Sequence, residues 1–340
     1  MSLRPLLVAA LLLLPAALAQ VPRDADAAQL AQADAHQAYM QRLATGLARD
    51  GGARDLALAA LLRRASAPRA QAPDDPSAPV PPPPDAQAEA WLRAAAAKAG
   101  DDPVANRLLM LAAGADDGVR FEAARRWQAA EPDNLMPMLH AGLTVDALLA
   151  QARKASRADA GMYPSVRWIA SAWQRHPPGA AEQAAMGQGQ PVHIDEAAAL
   201  SAMSLWAASA EPGYDALVEA CSQQMLRAMP ARRGDCAHVA SLLADHSTNI
   251  ADEHAGLAML GALASTPAER SDLQARLRRM DWRMLEWGRL GQQQPRYGAE
   301  QFARLLADPA IASEQQLVER VLAEGGVAVD PPPGWAPPRR

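Results

Sequence analysis

The chain has 340 residues, a formal charge of −5, and only two lysines, Lys98 and Lys154, among its 33 basic residues. No basic block occurs, which argues against nucleic acid or an anionic membrane surface as the main partner. Eight Trp stand against two Phe and four Tyr, so large apolar volume comes from Leu, Met and Trp; with abundant Ala, the composition reads as all-α.

Met1 to Ala19 carries one charge, Arg4, then an apolar run from Leu6 to Leu14 that is too short to span a bilayer as a helix. Ala17-Leu18-Ala19 follows with the small-x-small pattern that signal peptidase cuts. We expect residues 1–19 to be a signal peptide cleaved between Ala19 and Gln20. A periplasmic or secreted chain, with no stable membrane insertion after cleavage, is the consequence.

Residues 20–66 read as a helical hairpin, with helices over 24–48 and 53–65 joined by Arg49-Asp50-Gly51-Gly52. Residues 67–84 hold Pro68, Pro73, Pro76, Pro79 and the run Pro81 to Pro84. Proline lacks the backbone donor and favours extended polyproline geometry, so this stretch is expected to be a semi-rigid linker.

From residue 85 to 328 helical patterns follow one another with short breaks, and no alternating strand or tight hairpin signal intervenes. Trp127, Trp173, Trp206 and, more loosely, Trp287 each precede a proline: Pro132, Pro177, Pro212 and Pro295. Proline suits the first turn of a helix, so each is expected to open the next one. Such a rhythm predicts stacked antiparallel helix pairs.

One junction is sharper than the others. Glu131-Pro132-Asp133-Asn134, followed by Met138 and Ala141-Gly142, resembles the boundary between two tetratricopeptide repeats. Gly100-Asp101-Asp102-Pro103, followed by Leu109 and Ala112-Ala113, is a second instance. Within residues 86–153 the resemblance implies an α-solenoid whose groove binds other proteins, and it brings no ligand-binding residue with it. Trp127 departs from the pattern, standing where that family usually has Ala.

Pro177 to Val192 contains Gly187-Gln188-Gly189-Gln190 and is expected to be a loop. That glycine pair lacks the lysine of a phosphate-binding loop. Farther on, Thr266-Pro267-Ala268-Glu269 spells a capping box at the start of a long helix ending near Leu290. In it Leu273, Leu277, Met280, Met284 and Trp287 recur at helical spacing and should face a core. Ser313 should start a final helix ending near Glu324, and residues 329–340, rich in proline, are expected to be a disordered tail.

Cys221 and Cys236 are the only cysteines, and an oxidising compartment would make them a disulfide. A helix unbroken to Met229 would carry Cys221 about 12 Å back from its end. Because a bridge needs Cα atoms within about 7 Å, either that helix ends early or the loop from Pro230 to Gly234 folds back. Free buried thiols and metal binding are the competing readings.

His238, His246 and His254, with Asp235, Asp245, Asp252 and Glu253, form the densest set of candidate acid-base or metal groups. A spacing of eight turns successive histidines about 80° around a helix, and Ser247-Thr248-Asn249 should break that helix. No nucleophile motif is present. We therefore expect an exported helical-repeat scaffold that binds a protein or peptide in the cell envelope, with no cofactor. The alternative is a cell-envelope hydrolase or metal-dependent enzyme using the His238–His254 region.

Overall fold

The computed structural model describes residues 27–66, 85–114, 116–187, 193–207, 213–293 and 295–338. The expected signal segment with its Ala19–Gln20 cleavage site, and the expected linker, lie outside the described residues. Among those residues the chain is all-α, with seventeen α-helices and no strand beyond two isolated bridges. None of these helices is long and apolar enough to cross a membrane. The chain divides into two compact units, Val21–Ala130 with Trp168–Ala202, and Glu131–Arg167 with Met203–Arg340.

The first unit begins with α1 (Ala27–Asp50), α2 (Ala53–Ala65), α3 (Ala86–Lys98), α4 (Pro103–Ala113) and α5 (Asp117–Ala130). The α1–α2 turn falls where the glycines predict it: Gly51 sits at φ +73°, and its N–H donates to Leu47 O at 3.2 Å. Gly tolerates that left-handed conformation without a Cβ clash. Helix α2 lies at the centre, packed on α1, α3 and α4, and every residue from Leu56 to Leu62 is buried.

Arginines at both ends of α2 hold the starts of its neighbours. Asp102 caps α4 by accepting from Val104 and Ala105 N–H, and receives Arg54 in a two-pronged bond at 2.6 and 3.0 Å. Asp85 caps α3 in the same way and receives Arg63 at 2.6 Å. Arg64 bonds Glu89 and the Ala112 carbonyl. Asp85 and Asp102 thus each satisfy orphan helix N–H groups and a guanidinium at once.

Three helices follow in the second unit's first stretch and across the division: α6 (Leu135–His140), α7 (Val145–Ala152) and α8 (Met162–Arg175). Asn134, fully buried, accepts from Met136 N–H as the cap of α6 and donates to Glu131 Oε2 and Asp159 O, each at 2.8 Å. Arg157 pairs with Glu131, Asp133 and Asp159. The junction read from Glu131 to Asn134 is therefore a real turn, though Pro132 precedes α6 instead of opening it.

Back in the first unit, Pro177 to Val192 is corrected: it contains α9 (Ala180–Met186). Glu182 accepts two hydrogen bonds from Arg42 of α1, at 2.8 and 2.6 Å, and Gln32 donates to Met186 O at 2.6 Å. Pro177 stands ahead of this helix and does not start it. Residues 188–192, with most of the Gly-Gln repeat, lie outside the described residues.

Next come α10 (Ile194–Ala207), α11 (Asp215–Ala220), α12 (Gln223–Ala228), a 3₁₀ turn at Pro230–Arg232, α13 (Arg233–His246), α14 (Ile250–Leu263), α15 (Pro267–Gln293), α16 (Pro295–Ala307) and α17 (Glu314–Glu324). Pro267 and Pro295 do open helices, as expected; Pro212 lies outside the described residues. Asn249, the last residue of the break expected at Ser247-Thr248-Asn249, caps α14: its side chain accepts from Asp252 N–H at 2.7 Å. Helices α13 and α14 approach so closely at Gly256 that a Cβ there would lie 2.3 Å from Ala244 N.

The core of the second unit gathers Ile250, Leu257, Leu273, Met280, Val318 and Leu322, with Leu277, Met284 and Trp287 partly buried against it. The apolar stripe of α15 thus faces inward as its spacing predicts. The capping box is formed: Glu269 N–H donates to Thr266 Oγ1 at 3.2 Å, and Thr266 N–H to Glu269 Oε2 at 3.0 Å. The Thr266 N–H, with the N–H and hydroxyl of Ser265, holds the Glu269 carboxyl below its ordinary range.

Candidate binding site

Helices α14, α15 and α17 line a partly open cavity of about 160 Å³ in the second unit. Its floor is Ile250, Met280, Met284 and Val318, and its rim carries Arg276, Arg279 and Arg283 from α15, Glu253 from α14 and Gln315 from α17. The three arginines are three and four residues apart, so they line one side of α15 while Met280 and Met284, one residue on, reach the floor. A volume near 150 Å³ accepts a group the size of benzene, far less than the space a drug-sized ligand needs. The volume matches that of a single large side chain.

Its polar rim is unequally committed. Arg276 pairs with Asp245 of α13 at 2.7 Å and Arg283 with Glu319 of α17 at 3.0 Å. Both carboxylates stand on helices. Arg279 pairs instead with Asp330, at 2.5 Å, beyond the last helix. Gln315 donates to Asn249 O and Glu253 Oε2 at 3.0 and 3.1 Å, while its Oε1 is buried with no hydrogen-bond partner among the described residues. An unpaired buried acceptor costs free energy, which an incoming N–H would recover.

The segment after α17, expected to be disordered, is corrected by its contacts with α15. Trp282 Nε1 donates to Ala328 O at 2.9 Å, Arg283 Nε to Val329 O at 3.4 Å, and Trp335 meets Trp282 edge-to-face with ring centroids 5.4 Å apart. Proline denies this segment helix and strand but not docking.

Cys221 and Cys236 are joined in a disulfide with Cα atoms 5.6 Å apart. The geometric obstacle is met by the first of the two routes: α11 stops at Ala220, Cys221 is its C-terminal cap, and Ser222 starts α12 afresh. The bridge ties that stop to the first turn of α13.

The histidine set does not converge. His238 Nε2 lies 3.0 Å from Ala152 O and 3.1 Å from Ala155 O, so it is a donor that closes the end of α7. His246 is exposed at the end of α13, and His254 is half-buried on α14. Buried Asp252 is held by Asn249 and by the Tyr214 hydroxyl. Among the described residues, no three His, Cys, Asp or Glu side chains are placed to share a metal ion.

No family model, curated protein or solved structure matches this chain. The cavity was not legible beforehand, because its lining comes from three helices and is spread from Ile250 to Val318. A usable signal did exist in Arg276, Arg279 and Arg283, which interleave with the Met stripe.

Proposed function

We propose that this chain is an exported, all-helical binding module that takes an extended acidic peptide segment at the cavity between α14, α15 and α17. The observation that carries the reading is the arginine rim over an apolar floor sized for one side chain. A carboxylate would meet the guanidinium groups, an apolar side chain the floor, and a peptide N–H the Gln315 Oε1. Export is supported by the Met1–Ala19 pattern and agrees with the Cys221–Cys236 bridge. The tetratricopeptide-like junctions add support for a protein-binding role.

The test is fluorescence anisotropy with a labelled peptide in which Asp alternates with Leu, against the same peptide with Asn in place of Asp. Saturable binding of the Asp peptide is expected, at least fivefold tighter than the Asn peptide, and at least tenfold weaker for Arg279→Glu. Equal binding of the two peptides, or an unchanged isotherm for Arg279→Glu, would overturn the reading.

A further inference from the structure

The residues beyond α17 carry more information than their proline content suggests. Pro332 O accepts a hydrogen bond from Trp335 N–H at 3.1 Å, closing a four-residue turn with Pro333 second and Gly334 third. Gly334 has φ +78°. Proline at the second position and a positive φ at the third are the signature of a type II turn. The turn brings Trp335 back onto Trp282, while Asp330 reaches Arg279. Sequence chemistry therefore builds this segment for one place on α15.

That place adjoins the cavity, whose lining includes no residue of the segment itself. Arg279 and Arg283 line the cavity, and the segment engages both, through the Asp330 carboxylate and the Val329 carbonyl. Asp245 and Glu319 are carried by helices α13 and α17, whereas the backbone that carries Asp330 is not helical, so the whole segment can move away from Arg279 without unwinding a helix. The Arg279–Asp330 pair is open to water on both sides, at 46% and 71% exposure, so solvent can replace it at little cost.

We propose that residues 328–338 are a tethered occupant of the acidic-peptide site, docked in cis and displaced when the external segment binds. The proposal rests on the functional reading above and specifies its regulation. The occupant also describes the preferred ligand: a carboxylate first, a proline-glycine turn, then an aromatic ring to meet Trp282. A short tether presents its own segment at an effective concentration in the millimolar range, enough to mask a weak ligand in trans.

The probe is a labelled synthetic peptide of residues 328–338, titrated into the full chain, a chain ending at Val327, and full-length Gly334→Val. Valine disfavours positive φ, so Gly334→Val releases the turn while leaving every charge in place. The expected result is saturable binding to the shortened chain, at least tenfold weaker binding to the full chain, and an intermediate affinity for Gly334→Val. Equal binding to all three chains, or none to the shortened chain and to Gly334→Val, would overturn the proposal. Should the shortened chain fail to fold by circular dichroism, Gly334→Val against the full chain decides alone. The Asp-Leu peptide separates the two claims: equal affinity for full and shortened chains rejects the tethered occupant and leaves the functional reading intact. Binding of the 328–338 peptide without the Asp-Leu peptide rejects the functional reading, and with it the displacement of the segment by an acidic ligand.

Discussion

Helices α2 and α15 are both rich in arginine, yet they use it differently. On α2 the partners Asp85 and Asp102 are themselves helix caps, so each ion pair is fixed at both ends, around a helix whose residues from Leu56 to Leu62 are all buried. Over the 27 residues of α15 only Leu273, Met280 and Glu286 are buried, and one arginine reaches a carboxylate on a non-helical segment. Arginine holds architecture together where its partner is a cap, and is available for exchange where its partner is free to leave. The lesson is that the partner's anchoring, more than the ion pair itself, decides whether a charged residue is structural.

The contrast can be broken by mutation, most forcefully at the core of α2. Leu58→Ala removes a fully buried side chain and is expected to cost about 2–5 kcal/mol in urea unfolding; a cost comparable to that of exposed Leu285→Ala, expected within about 0.5 kcal/mol, would erase the distinction. In the second unit, Cys221→Ser with Cys236→Ser opens a loop of 15 residues, and the chain-entropy argument gives a loss of about 3 kcal/mol. Matching unfolding midpoints with and without reductant would show that the bridge does not constrain the chain.

Asp102→Ala should cost about 1–2 kcal/mol through loss of the α4 cap. Burial alone would raise this carboxyl, but Arg54 and the Ala105 and Val104 N–H groups together outweigh it and hold the group below its ordinary value. Its contribution is accordingly complete above the unfolded pKa, near 4, and is lost as pH falls through the lower folded value. Urea midpoints of Asp102→Asn and the parent should converge in acid and separate toward neutral pH. The smallest effect is expected at Asp330→Asn, at most about 0.5 kcal/mol in stability, even though it should tighten binding of the Asp-Leu peptide.

Much of the scaffold was legible because it rests on local rules. Thr266-Pro267-Ala268-Glu269 announced its capping box, Asn249 its break, and the stripe from Leu273 to Trp287 its buried side. What local rules could not reach was tertiary docking. Residues 180–186 look like loop material because their neighbours are Pro, Gly and Gln; Arg42, well over a hundred residues away, receives them as helix α9. Proline content suggested disorder for the end of the chain, although Pro332-Pro333-Gly334-Trp335 encodes a turn that needs only Trp282 as its platform. For the His238–His254 set the helical spacing already predicted that its members would not share a face, and among the described residues they do not converge.

Hydrogen exchange on the chain ending at Val327, with and without saturating Asp-Leu peptide, tests the central claim most directly. Protection concentrated in α14, the Gln274–Glu286 stretch of α15 and the first turns of α17 is the predicted result. Protection confined to other helices, or none at saturation, would contradict a binding site at this cavity.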